Sequence, residues 1–331
     1  MSPDASKLTI FFGERARADG AFLADALIDV FARHELQTSL VMRGVAGFGA
    51  RHQSTDRLLS MSEDLPLVAV AVDRRERIAA ALADVRALPR FSGLVLLEDA
   101  RLLIGDLAGA GALDGPTKLT LYLGRQERHE AVVDLLHRRG IAGATVLLGI
   151  DGTAHGTRQR ARFFARNAQV PLMVIAVGDG DRIAGALPEL DTMLPRPIVT
   201  LEGVQVCKRD GQTLDTPRTI DARPGVRQKV MIFASEQSRH AGRPLHRELL
   251  QALRAGGVAG ATGLRGVWGY HGDHAPHGDS LLQLRRRVPV VTTVVDTPDR
   301  IDAALAIVDA ITDETGLVIC ETAEAVDLAR G

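Results

Sequence analysis

The chain has 331 residues, 46% of them hydrophobic and 24% charged, with 40 basic against 41 acidic side chains. That composition belongs to a folded globular protein long enough for two or three cores, and a formal net charge of −1 excludes the basic surface that non-specific nucleic-acid binding requires. The longest apolar runs, such as Leu65 to Val72, are too short to span a bilayer, and MSPDASKLTI has neither a basic n-region nor an apolar h-region. Two cysteines, Cys207 and Cys320, cannot form a disulfide framework, so the expectation is a cytoplasmic protein with reduced thiols and no membrane insertion.

Four blocks recur three times in the same order. SKLTIFFGE, TKLTLYLGR and QKVMIFASE place Lys7, Lys118 and Lys229 at successive intervals of 111 residues. LVMRGVAGFG (40–49), VLLGIDGTAHG (146–156) and GLRGVWGYHG (263–272) form the second block. The third reads DLPLVAVAVDRRERIAAAL (64–82), QVPLMVIAVGDGDRIAGAL (169–187) and RVPVVTTVVDTPDRIDAAL (287–305), and the fourth GLVLLE (93–98), PIVTLE (197–202) and GLVICE (316–321). The chain is thus a triplicated domain. Segments 104–117 and 208–228, rich in Gly, Pro, Asp and Thr, read as linkers, which sets repeats at 1–112, 113–222 and 223–331.

Within a repeat, the first block alternates as a strand, with Leu8, Ile10 and Phe12 on one face and Lys7, Thr9 and Phe11 on the other. Leu23, Leu27 and Phe31, matched by Leu245, Leu249 and Leu253, then predict an amphipathic helix. A second strand ends at glycines. A third strand follows Pro66, Pro171 or Pro289 and enters a helix through Asp73-x-x-Glu76 or Asp296-x-x-Asp299, read as an N-cap with an acidic first turn. A short fourth strand closes the unit. The order βαββαβ predicts an α+β class, three ferredoxin-like domains with both helices on one sheet face. The other face carries Phe11, Tyr122 and Phe233 at one repeat position. Strand three is apolar on both sides, so the bare faces are expected to pack together around a pseudo-three-fold axis.

The repeated K-L-T-I/L-F/Y-F/L-G, R-G-V-x-G-F/Y and D/V-P-V/L-V segments resemble the PII-like family catalogued as domain of unknown function 190 (DUF190), over about 300 of the 331 residues. The resemblance implies a ferredoxin-like homotrimer, here fused into one chain and therefore monomeric. It also implies ligands bound between subunits and a mobile loop between strands two and three that signals to a protein partner. Members are often linked with fluoride-exporter genes, which adds the expectation of a membrane-transporter partner.

Several residues are candidates for chemistry. Three of the four lysines fall at one repeat position, where a compact ammonium is wanted. Lys7, Lys118 and Lys229 should lie beside Glu98, Glu202 and Glu321 on strand four, as a cross-strand pair or as an anion contact in an inter-repeat cleft. Gly44 and Gly47, Gly149 and Gly152, Gly266 and Gly269 allow either an amide cradle for an anion or a sharp bend, with Arg43 and Arg265 placed to supply a guanidinium. Repeat 2 has Leu148 there, and it lacks six residues between strand one and the first helix. His271, His274 and His277 in HGDHAPHGD carry donors suited to a divalent metal, or form a solvated polar loop. Arg77, Arg182 and Arg300 read as surface partners of the acidic helix caps. The lysine-bearing loop of nucleotide-binding PII proteins has no counterpart in all three repeats, so no nucleotide or other cofactor is expected. No catalytic constellation is visible.

The combined reading is a non-enzymatic signalling or adaptor protein that binds a small anionic ligand between repeats and presents loops 44–65, 149–170 and 266–288 to a partner. The alternatives are a divalent-metal-binding protein using the histidine loop, and an accessory protein of an ion (fluoride) export system.

Overall fold

The computed structural model of the protein describes residues 3–49, 52–53, 64–124, 128–160, 171–214, 223–271, 275–278, 288–312 and 316–327. Each repeat runs strand, helix, strand, strand, helix, strand. In repeat 1 the strands are Ala5–Gly13, Thr38–Arg43, Pro66–Arg74 and Leu94–Ile104. In repeat 2 they are Pro116–Gly124, Gly143–Ala154, Pro171–Asp179 and Ile198–Gly203. In repeat 3 they are Val226–Ser235, Gly260–Arg265, Pro289–Asp296 and Leu317–Ala325. The helices in chain order are α1 (Leu23–Arg33), α2 (Arg75–Arg86), α3 (His129–Arg138), α4 (Gly180–Met193), α5 (Leu245–Ala255) and α6 (Pro298–Ile311). In every repeat strand one lies between strands three and four, and strand two flanks strand three, all antiparallel.

Alternation along the strands sorts the side chains into separate cores. Leu8, Ile10 and Phe12, with Leu67, Ala69 and Ala71, pack under α1 and α2. Two equivalent clusters sit beneath the helices of repeats 2 and 3. A fourth cluster draws on all three repeats: Val68, Val70 and Val72 meet Tyr122, Met173, Ile175, Met231 and Phe233 from the other two, with Phe11 packed at its margin. Burying the non-helical faces against one another removes apolar surface that each sheet alone would expose.

Both edges of each sheet are also covered by a neighbour. Beyond strand two, Ala46–Gly49 pairs with strand two of repeat 3, Trp268–His271 pairs with strand two of repeat 2, and Gly149–Ala154 pairs with strand two of repeat 1. At the opposite edge, the tail of strand four in repeat 1 pairs with strand four of repeat 2, Gln205–Arg209 with that of repeat 3, and Glu324–Ala325 with that of repeat 1. The pairing is cyclic in both cases.

Two expectations need correction, and a third holds in part with an added contact. Segment 104–117 is not a free linker: a 3₁₀ turn over Leu107–Ala110 buries Leu107, Ala110 and Leu113 in the core of repeat 2. In 208–228, strand Gln205–Arg209 buries Cys207 in the core of repeat 3, and Lys208 pairs with Asp309 at 2.6 Å. Composition hid this because an inter-repeat strand needs only backbone pairing and one or two apolar anchors. Second, Asp73 and Asp296 do not cap their helices. Each carboxylate accepts from the next residue's amide and from the amide ahead of strand two, Gln37 at 2.9 Å and Ala259 at 2.9 Å. They fasten the helix entry to the neighbouring strand. Third, Arg77 and Arg300 donate to the carbonyls of Glu35 and Gly257, and Arg182 to that of Gly140. These carbonyls belong to left-handed residues just beyond the C-cap of the first helix of each repeat, at φ 47°, 75° and 66° respectively, so one arginine per repeat ties the second helix to the turn that ends the first. Arg77 and Arg182 also lie 3.7 and 3.8 Å from the acids Asp73 and Asp179.

Candidate functional site

Strand one brings Lys7, Lys118 and Lys229 to the axis, and the register sets them opposite Glu98, Glu202 and Glu321 of their own repeats. Packing adds a second carboxylate to each. Lys7 contacts Glu98 at 3.4 Å and hydrogen-bonds Glu202. Lys118 lies 2.5 Å from Glu202 and hydrogen-bonds Glu321, while Lys229 lies 2.7 Å from Glu321 and hydrogen-bonds Glu98. The six groups close a ring of alternating charge, every member under 10% exposed. Glu202 Oε2 is out of line for a hydrogen bond to Lys118, so that contact is electrostatic.

Burial pushes the Glu98 carboxyl up, but Lys229 and Lys7 outweigh it and hold it at about 2. Glu321 is likewise held low by Lys118 and Lys229 against desolvation. Burial depresses Lys7 and Lys229, but the facing carboxylates more than compensate and raise both. At Lys118, the most buried ammonium at 2% exposure, desolvation prevails over Glu202 and Glu321 and carries it below its usual value. Thr9 donates to Glu98 Oε2 at 2.5 Å. Tyr122 and its diagonal cross-strand neighbour Thr200 bury their hydroxyls next to each other.

The strand-two glycines serve the inter-repeat crossings. A Cβ on Gly152 would stand 2.2 Å from the Ser39 carbonyl, and one on Gly269 (φ +153°) 2.3 Å from that of Ala144. Gly47 meets Ala261 in the same way, while Gly44, Gly149 and Gly266 press on the prolines that open strand three. The amides of Gly44 and Gly266 donate to Pro66 O and Pro289 O at 2.8 and 2.7 Å. Arg43 pairs with Glu14 at 2.8 Å, and Arg265 makes a two-pronged contact with Glu236 at 2.9 Å. The sequence reading missed these acids, yet the repeat alignment carries the signal: Glu14 and Glu236 align with Arg125, and repeat 2 has lost both the acid and the arginine. The six residues missing from repeat 2 correspond to small hairpins, Arg17–Ala18 with Ala21–Phe22 and Arg239–His240 with Arg243–Pro244.

Of the histidines, His277 lies opposite Gly269, with Nδ1 2.7 Å from Ala275 O, and His271 pairs with Gly143. His274 lies outside the described residues. Among the described residues there is no group of three or more metal-ligating side chains. Of the proposed partner loops 44–65, 149–170 and 266–288, residues 50–51, 54–63, 161–170, 272–274 and 279–287 lie outside the described residues.

Between repeats 1 and 3 lies a cavity of about 310 Å³. Phe11, Phe12 and Leu94 of repeat 1 form one wall and Val295 of repeat 3 another, with Phe48 where the strands cross and Arg227 at hand. Arg227 Nη1 donates to Val226 O at 2.8 Å. At the position of Phe48 the other repeats carry Thr153 and Tyr270. Thr153 bonds Ser39 at 2.8 Å, and Tyr270 is buried with its hydroxyl donating to Ile141 O at 3.0 Å. Neither the six glycines except Gly47, nor Arg43, Arg265 or the lysines, line this cavity.

No helix among the described residues is long and apolar enough to cross a membrane. The UPF0166 protein MJ1524 of Methanocaldococcus jannaschii is 22% identical over 102 residues, covering 31% of this chain but 94% of that protein, which is therefore about one repeat long. The family model for DUF190, described as an uncharacterized ACR, matches residues 5–102, 117–206 and 227–325. With three matches spanning most of its length, the chain belongs to the DUF190 family and carries it as three tandem copies.

Proposed function

We propose that the protein is a non-enzymatic PII-like adaptor, a pseudo-trimer of ferredoxin-like repeats that binds a small ligand between repeats 1 and 3 and displays its strand-two arms to a protein partner. The observation that carries this reading is the 310 Å³ cavity built from both repeats, with aromatic and aliphatic walls and one guanidinium. Its size is at the lower end of small-molecule sites, and mostly apolar walls with few polar anchors are their usual make-up. Phe11, Phe12 and Phe48 suit a flat hydrophobic body, and Arg227 suits a carboxylate or phosphate. The cytoplasm is the compartment expected for such a protein. Calorimetric titration with aromatic carboxylates and with nucleoside phosphates tests the reading. Binding that Arg227→Ala weakens tenfold or more supports it, because a charge-assisted hydrogen bond contributes about 1.5–3 kcal/mol. Binding indifferent to Arg227→Ala and to Phe48→Ala would place the ligand elsewhere.

A further inference from the structure

The two cysteines of the chain, Cys207 and Cys320, are both buried in the core of repeat 3, at 3% and 5% exposure. They reach it from different places. Cys320 lies on strand four of repeat 3, and Cys207 on strand Gln205–Arg209, the continuation of repeat 2 that pairs with it. Gln205 stands opposite Cys320 and Val206 opposite Ile319, and the register then slips, which makes Cys207 the extra residue of a bulge. A bulge re-aims a side chain, and here the Cys320 thiol hydrogen-bonds Cys207. Cys207 Sγ in turn lies 3.9 Å from Gln205 O.

The other two joins between repeats share this register with different residues: Arg101 faces Leu201 and Glu324 faces Leu97, as Gln205 faces Cys320. Two positions further along the three tails stand Leu103, Val326 and Cys207. Leu103 and Leu201 belong to the core of repeat 2, and Val326 and Leu97 to that of repeat 1. Aliphatic residues therefore serve this join twice. At the third join both positions are cysteine, and cysteine occurs nowhere else in the chain. Packing accounts for a single cysteine as a small hydrophobe but does not select two in contact. We propose that Cys207 and Cys320 form a redox-sensitive dithiol, and that its oxidation to a disulfide staples the tail of repeat 2 to repeat 3.

The oxidant is a low-molecular-weight disulfide, RSSR. Cys207 beside it, together with burial, pushes the Cys320 thiol up, so the docked pair is inert and exchange begins when the five-residue strand Gln205–Arg209 lifts. The Cys207 thiolate then attacks one sulfur of RSSR, forming a mixed disulfide and expelling RS⁻, which takes up a proton. On redocking, Cys320 loses its proton, attacks Cys207 Sγ and expels the second RS⁻, which is protonated in turn. The two cysteines have lost two electrons and two protons, and RSSR has become two RSH. The new bond encloses nearly all of repeat 3, and a long closed loop is the case in which a disulfide most constrains the unfolded chain. The staple depends on neither the cleft between repeats 1 and 3 nor its ligand.

The test is to incubate the full chain with oxidised glutathione, then denature it and alkylate the remaining thiols. The intact mass should fall by two hydrogens with no alkylated cysteine, and peptide mapping should join Cys207 to Cys320. The melting temperature of the oxidised chain should lie about 5 °C above that of the reduced chain and return with dithiothreitol. Cys207→Ala should abolish both the cross-link and the rise. Two alkylated cysteines after oxidation, a disulfide between two chains, or a Cys207–Cys320 bond that leaves the melting temperature unchanged would each overturn the proposal.

Discussion

The axis and the clefts of this molecule have diverged to different extents. On the axis each repeat supplies one lysine and one glutamate at matching positions, and all six side chains join a single buried ring. At the clefts one strand-two position is Phe48, Thr153 or Tyr270, and the Arg–Glu pair beside the first strand-two glycine survives in repeats 1 and 3 only. The difference follows from connectivity. A ring member faces its own repeat and the next, so changing it strands a charge in two repeats at once. A cleft residue meets one neighbour and is free to specialise once the copies are covalently joined.

The comparison can be broken most directly at the ring. Lys118→Met should cost about 3–5 kcal/mol in chemical denaturation, because Glu202 and Glu321 each lose a partner while buried. Replacing all six ring members by apolar residues of similar volume should recover much of that loss. In the central cluster, Tyr122→Ala and Phe233→Ala, at 7% and 6% exposure, should each cost about 3–5 kcal/mol, with Phe11→Ala costing less because Phe11 is only half-buried at the cluster's margin.

Acid titration reads the ring without mutation. Glu98 and Glu321 have folded-state values below the unfolded reference of about 4.3, so their contribution is complete above that pH and is lost as the pH falls toward about 2. Lys7 and Lys229 are raised, so theirs is present below about 10.4 and disappears only as the pH climbs through their higher folded values. Lys118 is lowered, so it acts in the opposite sense on the alkaline side, and the clear expectation for thermal melts is an acid-side decline that begins below about pH 5. A decline already beginning near pH 6 would assign acid sensitivity to histidines instead.

At the clefts the expected stability effects are small. Arg227→Ala should change stability by no more than about 0.5 kcal/mol while removing the proposed ligand anchor, which separates a binding role from a structural one. The cyclic pairing of both sheet edges leads us to expect light scattering to give the mass of one chain. A stable species of three chains would mean that the central faces pair between molecules.

The sequence alone determined the triplication, the strand and helix faces, and the special status of the lysine position, because repeats and alternation are properties of a linear chain. It also placed each lysine opposite its own glutamate, since register within a repeat follows from local strand order. Only the tertiary structure decided the second partners: Lys7 with Glu202, Lys118 with Glu321 and Lys229 with Glu98, across 195, 203 and 131 residues. The same holds for Gly47, Gly152 and Gly269, whose requirement comes from a neighbouring repeat's carbonyl at the crossing. Such contacts arise from how three sheets close around an axis, and no local periodicity encodes which copy follows which.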